Sequence, residues 1–468
     1  MFRSLQNKFF YPHGNVLYRK LRHPFPKIIR GEGVYLFDAE NRRYLDGSGG
    51  ALVVNVGHGN RQIAEAMAAQ AERIAYVSGL QFTHEAVEEL AMELSAIAPS
   101  GIDGTKVFFL SSGSEAVDAA MKLARQYWVA RRKTGKYKVI SRLPSYHGNT
   151  LGAMGVSGRL SYRAMFDPLY VDHPKIPPPL CYRCPWGKTF PQCDYECASE
   201  LATAIEKNKP DTIAAFIAEP ILGSTGGAMV PPAEYYQRVQ EICQRYDVLF
   251  IADEILCGMG RTGEWWGISS YNVTPDILLA GKGLTSGYAP LSALVVRQEV
   301  IAVIYESGKD FMHAQTFTHH PVACAAALAT IHCIQQNDLL ERCRQMGKAL
   351  HAELAPLRQH PLVGDVRGKG LLAGIELVAE KPIKRPFPRE WKIAETVTAQ
   401  ALANGLVVWN NVGHVDGISG DLILLAPPFI IDASQIKTMV ALLRQALDAA
   451  AEAVELKSNK RIIESSSE

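Results

Sequence analysis

The chain lacks an excess of charge of either sign. Its 468 residues include 49 Lys and Arg against 47 Asp and Glu, which gives a formal net charge of +2 at pH 7. Proteins that bind nucleic acid or anionic membranes electrostatically carry a basic excess, and this composition does not supply one. The sequence therefore predicts neither a nucleic-acid partner nor a membrane partner.

Long apolar runs are also missing. The longest, VACAAALATI at 322–331, has about half of the ~20 residues that a transmembrane helix requires. The first residues, MFRSLQNKFFYPHGNVLYRK, carry scattered basic side chains and no apolar core of a secretory signal. We find no internal repeat, and the only low-complexity tract is the short SSSE at the end. These features favour a soluble, cytoplasmic protein.

Cysteine is sparse, at nine residues, but four of the nine are clustered. Cys181, Cys184, Cys193 and Cys197 lie in CYRCPWGKTFPQCDYEC, where C-x2-C followed by two further thiols is a plausible spacing for structural zinc. A proline-rich loop whose cysteines only pack, or a disulfide, would be compatible with the same stretch, although cytoplasmic thiols are kept reduced. We assign no metal to the chain from this pattern alone.

The middle of the chain alternates short apolar runs with amphipathic stretches. The apolar runs lack polar alternation, which is typical of strands buried on both faces of a largely parallel sheet. In SEAVDAAMKLARQY, by contrast, apolar residues recur three and four apart, as on one face of a helix. The alternation predicts an α/β core. The predicted strands are TKVFFL (105–110), YKVI (137–140), IAAFIA (213–218), VLFIA (248–252), DILLA (276–280) and LSALVV (291–296).

The two ends of the chain have a different pattern. Residues 28–56 predict a hairpin that turns at DAENRR. Beyond about residue 330 come a long helix, the strand-like GLLAGIELV, a proline-rich break at KPIKRPFPRE, and further helix and strand patterns. Because 468 residues exceed the usual size of one core, we predict two domains. Residues 76–330 would form the large domain, and 1–75 with 331–468 a smaller α+β domain.

Polar residues follow five of the predicted strands. The first strand runs into SSGSEA, and the others are followed by Tyr146 and His147, by Glu219, by Asp253 and by Lys282. In open α/β sheets, ligands bind beyond the carboxyl ends of the strands. Each residue alone could be a helix cap or a solvated turn, but together they predict one functional site.

Lys282 could hold a phosphate or form a covalent bond to a carbonyl. A P-loop requires a glycine five residues before the glycine that precedes the lysine, and position 276 is Asp. SSGSEA offers N–H groups, hydroxyls and a positive helix end for a phosphate, unless its serines only cap the helix. A phosphate site, an amine and a buried carboxylate suggest pyridoxal phosphate, whose aldehyde bonds a lysine and whose ring nitrogen pairs with an acid such as Asp253. The alternatives are a turn-capping Asp253 and a solvated Lys282.

Long stretches of the chain resemble class III pyridoxal-phosphate-dependent aminotransferases. The most specific is LFIADEILCGMGRTGEWWGISSYNVTPDILLAGKGLTSGYAPLSALVV. YLDGSGGALVVNVGHGN, FFLSSGSEAVDAAMKLARQY, SYHGNTLGAM, AAFIAEPILGSTGGAMVPP, QTFTHHP and VRGKGLLAGIEL extend the resemblance over nearly the whole chain. The resemblance implies fold type I: a large cofactor domain with a mostly parallel sheet, a small domain built from both termini, and a homodimer or dimer of dimers with active sites at the interface.

The resemblance also implies individual roles. Lys282 would bond the cofactor aldehyde and act as general base, while Asp253 would pair with the ring nitrogen. The other implied cofactor contacts are Ser112, Gly113 and Ser114 around the phosphate, Tyr146 stacked on the ring with His147 beside it, Ile255 under its opposite face, Glu219 near the ring, and Thr316 on the phosphate of the other subunit's cofactor.

The reaction implied is ping-pong transamination. An ω-amino acid or primary amine would be the donor, and a keto acid, pyruvate or 2-oxoglutarate, the acceptor. A decarboxylase, epimerase or aminomutase on the same cofactor is the alternative, and the cofactor motifs do not separate it. A cofactor-free binding protein is disfavoured by the intact Lys282 and Asp253.

One stretch departs from the family pattern. Many amine transaminases carry an arginine for the substrate carboxylate shortly before a strand that ends in two prolines. Here residues 410–431, NNVGHVDGISGDLILLAPPFII, contain neither arginine nor lysine. His414 or backbone N–H groups of GHVDGISG are candidates to bind the carboxylate, and a plain solvent loop is the alternative.

Overall fold

The computed structural model of the protein describes residues 14–23, 25–102 and 104–465. The first thirteen residues, part of the stretch in which we expect no secretory signal, lie outside the described residues. Among the described residues, no helix combines the length and the apolar character that crossing a membrane demands.

The strands form one large and two small sheets. Their bounds are β1 Ile28–Glu32, β2 Tyr35–Asp38, β3 Arg43–Asp46, β4 Lys106–Leu110, β5 Lys138–Arg142, β6 Lys175–Ile176, β7 Ile213–Ala218, β8 Leu249–Asp253, β9 Ile277–Ala280, β10 Ser292–Val296, β11 Val363–Lys369, β12 Leu372–Leu377, β13 Leu406–Val407, β14 Trp409–Val412 and β15 Asp421–Leu425.

The helices range from one turn to a long helix near the end of the chain. Their bounds are α1 Gly49–Leu52, α2 Arg61–Arg73, α3 Glu85–Ala96, α4 Gly113–Ala130, α5 Leu151–Val156, α6 Leu160–Arg163, α7 Glu196–Lys207, α8 Tyr235–Arg245, α9 Gln298–Glu306, α10 Pro321–Gln336, α11 Leu339–Leu354, α12 Ile393–Ala403 and α13 Ala433–Ser465.

The large sheet has the order β4-β10-β9-β8-β7-β5-β6. Strands β5 to β9 are parallel to one another, whereas β10 is antiparallel to both β9 and β4. β4 therefore runs in the same direction as the parallel strands, and the carboxyl ends of β4, β5, β7, β8 and β9 share one edge. All six predicted strands are present, and the mostly parallel α/β core is confirmed.

The large sheet is buried on both faces, as its apolar strands predict. Every residue of β7 and β8 is buried. On one face lie the buried alanines and Leu123 of α4, and on the other face lie apolar residues of α7 and α8 such as Leu201 and Val239. Burial of apolar area contributes roughly 25 cal/mol per Å², so the two helical layers stabilise the sheet. A stable sheet in turn holds the polar residues at its edge in fixed positions.

One of the two smaller sheets joins the two ends of the chain. β2 and β3 form the hairpin that the sequence predicts, and β13 pairs with β3 in parallel through Leu406 and Leu45. The other sheet has the order β11-β12-β15-β14 and is antiparallel. This confirms an α+β unit from both termini. The domain boundaries remain predictions, and the one proposed after residue 330 falls inside α10.

Candidate active site

An open cavity of about 630 Å³ lies at the shared carboxyl edge of the large sheet. It brings together side chains from five strand ends, although those residues are spread over some 170 positions of the sequence. The residues that line it are Gly113, Ser114, Tyr146, His147, Gly148, Glu219, Ser224, Asp253, Ile255, Leu256 and Lys282. Of the predicted site residues, only Ser112 and Thr316 are not among them.

Lys282 enters the cavity from the turn that follows β9. Its φ is 43°, a backbone conformation that non-glycine residues seldom adopt and that is typical of constrained functional positions. Burial lowers the pKa of Lys282, while the negative charges of Asp253 and Glu219 oppose that shift. The amine is therefore neutral more often than an exposed lysine, as a nucleophile or general base requires.

Asp253 ends β8 and is only 2% exposed. Its Oδ2 lies 2.7 Å from Nδ1 of His147, and its Oδ1 accepts a hydrogen bond from the backbone N–H of Ile255 at 3.2 Å. His147 is itself held, because its backbone N–H donates to Oγ of Ser157 at 2.9 Å. These contacts fix the direction of the Asp253 carboxylate at the floor of the cavity.

Glu219 lies between two backbone donors. Its Oε1 accepts from the N–H of Tyr146 at 3.0 Å, and its Oε2 accepts from the N–H of Gly223 at 2.9 Å. Burial raises the pKa of Glu219, and the nearby Asp253 raises it further. Glu219 thus connects the segment after β7 to the segment that carries Tyr146.

Arg142 supports this arrangement, and sequence reasoning missed it. It is fully buried at the end of β5, and its guanidinium donates to the backbone oxygen of Glu219 and, at 3.1 Å, to the hydroxyl of Tyr236. The sequence offered a signal, since a charged residue two positions after the apolar run YKVI requires buried partners. Ser224, Gly148 and Leu256 were also missed, although all three lie within stretches that carry the family resemblance.

The start of α4 faces the cavity, and its three small residues make different contacts. Ser112 is the N-cap: its Oγ accepts from the N–H of Glu115 at 3.3 Å, and Glu115 Oε2 accepts from the N–H of Ser112 at 3.0 Å. Gly113 and Ser114 line the cavity, and their N–H groups bond to no described residue. A Cβ at Gly113 would lie 2.8 Å from Cδ1 of Ile255, so only glycine lets the helix start this close.

Thr316 lies outside the cavity. Its side chain is exposed, and its backbone oxygen accepts a hydrogen bond from the hydroxyl of Tyr76 at 2.9 Å. Tyr146 and Ile255, by contrast, both line the cavity, as we expect of residues that would contact the cofactor ring. The roles carried over from the family stay predictions for every site residue, and that of Thr316 requires a second subunit.

The four clustered cysteines line a second, smaller cavity together with Trp186 and Tyr195. None of them forms a disulfide. Among the described residues, no group of three or more His, Cys, Asp and Glu side chains is placed to hold a metal ion. Burial, with the nearby Cys181 and Cys193, raises the pKa of Cys197 to about 12. Whether these thiols only pack or bind a metal stays a prediction.

The fold and the cavity together define the class of protein. A sheet edge that presents an amine of lowered pKa, an oriented carboxylate and an open helix N-terminus is the arrangement of a fold type I transferase. The model of the aminotransferase class-III family matches residues 18–447. The chain belongs to this family.

Curated relatives and solved structures agree with this assignment. The putrescine–pyruvate aminotransferase of Pseudomonas aeruginosa is 35% identical over 440 residues, which cover 93% of this chain and 94% of that protein. Gamma aminobutyrate transaminase 2 of Solanum lycopersicum is 35% identical over 441 residues, with 93% and 94% coverage. The crystal structure of an (S)-enantioselective omega-transaminase from Thermomicrobium roseum matches with a TM-score of 0.88 at 34% identity and covers 96% of this chain and 99% of its own.

The protein is therefore an aminotransferase, which moves an amino group from a donor to an acceptor. This confirms the predicted activity and fold type. The alternatives of a decarboxylase and of a non-catalytic binding protein give way to transamination.

Proposed function

We propose that the protein binds pyridoxal 5'-phosphate in this cavity and transfers the amino group of an ω-amino acid or primary amine to a keto acid in ping-pong order. The observation that carries the proposal is the pairing of a lysine of lowered pKa with an oriented carboxylate in one cavity. The names of the two relatives, one for putrescine and pyruvate and one for γ-aminobutyrate, support amines on a terminal carbon as donors.

The residues present fit the cofactor in chemistry. The free N–H groups of Gly113 and Ser114, at the positive end of α4, would hold the phosphate. Asp253 would pair with the ring nitrogen, and Tyr146 and Ile255 would contact the ring. When bound, the cofactor supplies an aldehyde that takes up the amino group and a ring that delocalises negative charge.

Lys282 then has two tasks at one atom. Its Nζ would hold the bound cofactor, and once a donor amine had displaced it, the same Nζ would be free to take a proton from the carbon that bears the amine. Both tasks require the neutral amine, which burial favours. Asp253 and Glu219 keep that shift limited, so Nζ can also hold the proton and return it.

We also propose that the functional unit is a homodimer with shared sites. Thr316 is exposed and remote from the cavity of its own chain. Exposed large apolar side chains surround it in sequence, including Met312 and Phe317, which are 76% and 55% exposed. A large exposed apolar patch is typical of a protein interface.

The visible absorbance of the protein purified with pyridoxal phosphate tests the proposed reaction. We expect a yellow band that bleaches when an ω-amino acid or primary amine is added without an acceptor, and that returns when pyruvate or 2-oxoglutarate follows. Bleaching without an acceptor is specific to the first half of a ping-pong transfer.

Lys282→Ala is the matched variant for this experiment. It removes the amine but leaves the other cavity residues in place, so the band should be lost or altered and the bleaching abolished. A wild-type protein without a yellow band, or a variant with the wild-type band and full turnover, would contradict the proposal.

A further inference from the structure

We propose that Arg159 binds the carboxylate of the acid substrate beside Tyr146, at the side of the cavity that faces residues 410–431. The inference rests on the proposed function and deepens it, because it names the group that distinguishes a keto acid from a neutral carbonyl compound. The sequence analysis did not predict Arg159 as a site residue, because it does not directly follow a predicted strand.

The backbone places Arg159 next to the cavity. The N–H of Gly158 donates to Ser145 twice, to its backbone oxygen at 3.1 Å and to its Oγ at 2.9 Å. A Cβ on Gly158 would lie 2.2 Å from the backbone oxygen of Arg142, so only glycine permits this approach. Residues 158 and 159 are thereby held against residues 145 and 146, and Tyr146 lines the cavity.

Electrostatics agree with this placement. Burial raises the pKa of Tyr146, and the positive charge of Arg159 is the strongest influence against that rise. Such an effect requires the guanidinium to lie near the tyrosine hydroxyl. Arg159 is therefore a positive charge at a residue that we place on the cofactor ring.

The guanidinium of Arg159 has no counter-ion in the described part of the chain. It donates to Oδ1 of Asn411 and lies over the ring of Tyr162, with Cζ 3.6 Å from the ring centroid. Its Nε is buried and has no hydrogen-bond partner among the described residues. Burial lowers the pKa of Arg159, and the nearby Arg19 lowers it further. Arg159 is half-buried, and a charge withdrawn this far from water is ordinarily paired, whereas the described residues around it supply no anion.

A carboxylate is the anion that suits these groups. Guanidinium N–H groups form a planar fork that matches the two oxygens of a carboxylate, and such charge-assisted bonds are stronger than neutral ones. The phosphate of the cofactor has its own donors at the start of α4, on Gly113 and Ser114. The remaining anions in the proposed reaction are the carboxylates of the acid substrates, namely the keto acid and, where the donor is an ω-amino acid, that donor.

Several of the candidate groups within 410–431 already have partners within the chain. Nε2 of His414 lies 3.1 Å from Oε1 of the buried Glu376. In GHVDGISG, the N–H groups of Ile418 and Ser419 donate to Oδ1 of Asp416 at 2.8 and 2.5 Å and are not free for a ligand. Arg159 reaches this stretch from outside through Asn411 and supplies the positive charge that the stretch lacks.

The test compares two acceptors that differ only in charge, pyruvate and its neutral amide, pyruvamide. In Arg159→Gln we expect KM for pyruvate to rise by about 10- to 100-fold, the loss expected for a charge-assisted hydrogen bond. The values for pyruvamide should stay within about twofold, and Arg159→Lys should recover part of the difference because it keeps the charge without the fork. The Kd of propionate, measured by calorimetry on the cofactor-loaded protein, should rise in parallel with KM for pyruvate.

Arg163→Gln is the matched control. Arg163 ends α6, the short helix that begins directly after Arg159, and its guanidinium is paired with Asp172. Removing this charge should leave the pyruvate-to-pyruvamide ratio unchanged. Equal losses for both acceptors in Arg159→Gln would mean that Arg159 only supports the fold and would overturn the inference, as would an unchanged KM for pyruvate. If the wild type shows no transamination, the proposed function fails, whereas propionate binding still decides whether Arg159 is an anion site.

Discussion

At the scale of single residues, the protonation of Lys282 depends on opposing effects. Burial lowers its pKa, and the carboxylates of Asp253 and Glu219 raise it, with Asp253 the stronger of the two. A negative neighbour stabilises the ammonium form, so removing that charge must shift the pKa further down. The lysine and the carboxylate are thus coupled before any ligand is bound.

Asp253→Asn should therefore lower the pH at which Lys282 becomes reactive. In cofactor-free protein, labelling of Lys282 by an amine-reactive reagent, followed by mass spectrometry across a pH series, reports the fraction of neutral amine. We expect the midpoint to lie lower in the variant than in the wild type, and Glu219→Gln to shift it in the same direction by less. Exposed lysines of the same chain serve as internal standards, and a midpoint that stays or rises in Asp253→Asn would contradict the coupling.

Residues directly after a strand could be predicted from the sequence, and others could not. Lys282 and Asp253 follow apolar runs whose ends meet at one edge, so position along the chain was enough to find them. Arg159 follows a short helix, and only the contact of Gly158 with Ser145 brings it to the cavity. No local pattern encodes a contact of that kind, because it depends on how two separate segments pack.

At the scale of elements, a buried charge cluster ties the cysteine-rich segment to β12. Glu376 of β12 is fully buried, forms ion pairs with Arg183 and Arg367, and places its Oε1 3.1 Å from Nε2 of His414. Burial alone would raise the pKa of Glu376, but the hydrogen bond from His414 and the charges of Arg367 and Arg183 outweigh burial and hold that pKa well below its usual range. The segment that follows Pro179 is thus anchored through Arg183.

Glu376→Gln should destabilise the protein strongly. Removing one partner of a buried ion pair leaves the others uncompensated and costs about 3–5 kcal/mol. Since the folded-state pKa is depressed, the stabilisation by Glu376 is fully present above the pKa of the unfolded chain and is lost as pH falls through the folded value. Urea unfolding at pH 7 should show the full difference between wild type and variant, and the difference should shrink in acid.

The exposed ion pair between Arg385 and Glu380 provides the control for this measurement. Its side chains are 63% and 42% exposed, so Arg385→Gln should cost less than about 1 kcal/mol. A Glu376→Gln variant as stable as this control would show that the buried cluster does not anchor the segment.

The direction of β10 could not be predicted from the residue pattern of the strand itself. Its apolar run, LSALVV, looks the same whether the strand is parallel or antiparallel to its neighbours, because both faces are buried either way. The signal lay in the connection, since residues 281–291 are fewer than the dozen or so that a parallel crossover requires. The presence of a strand can be predicted from local composition, whereas its direction depends on the length of the segments that connect it to neighbouring strands.

At the scale of the whole molecule, the proposed dimer assigns Lys282 and Thr316 of one site to different subunits. Within one chain the two residues are not brought together, because Thr316 is exposed and lies outside the cavity that Lys282 enters. A two-fold dimer would contain two equivalent sites, each built from both chains. Two inactive variants should then restore one another.

Co-expression of Lys282→Ala with Thr316→Glu tests this sharing. The glutamate would repel the phosphate of the neighbouring cofactor, so each variant alone should have little activity. In a mixed dimer, the chain that keeps Lys282 receives an intact Thr316 from the other chain, and one site of two is complete. Random pairing then yields about one quarter of the wild-type activity per dimer. A mixture that forms dimers but stays inactive, or a fully active monomer, would show that each site is complete within one chain.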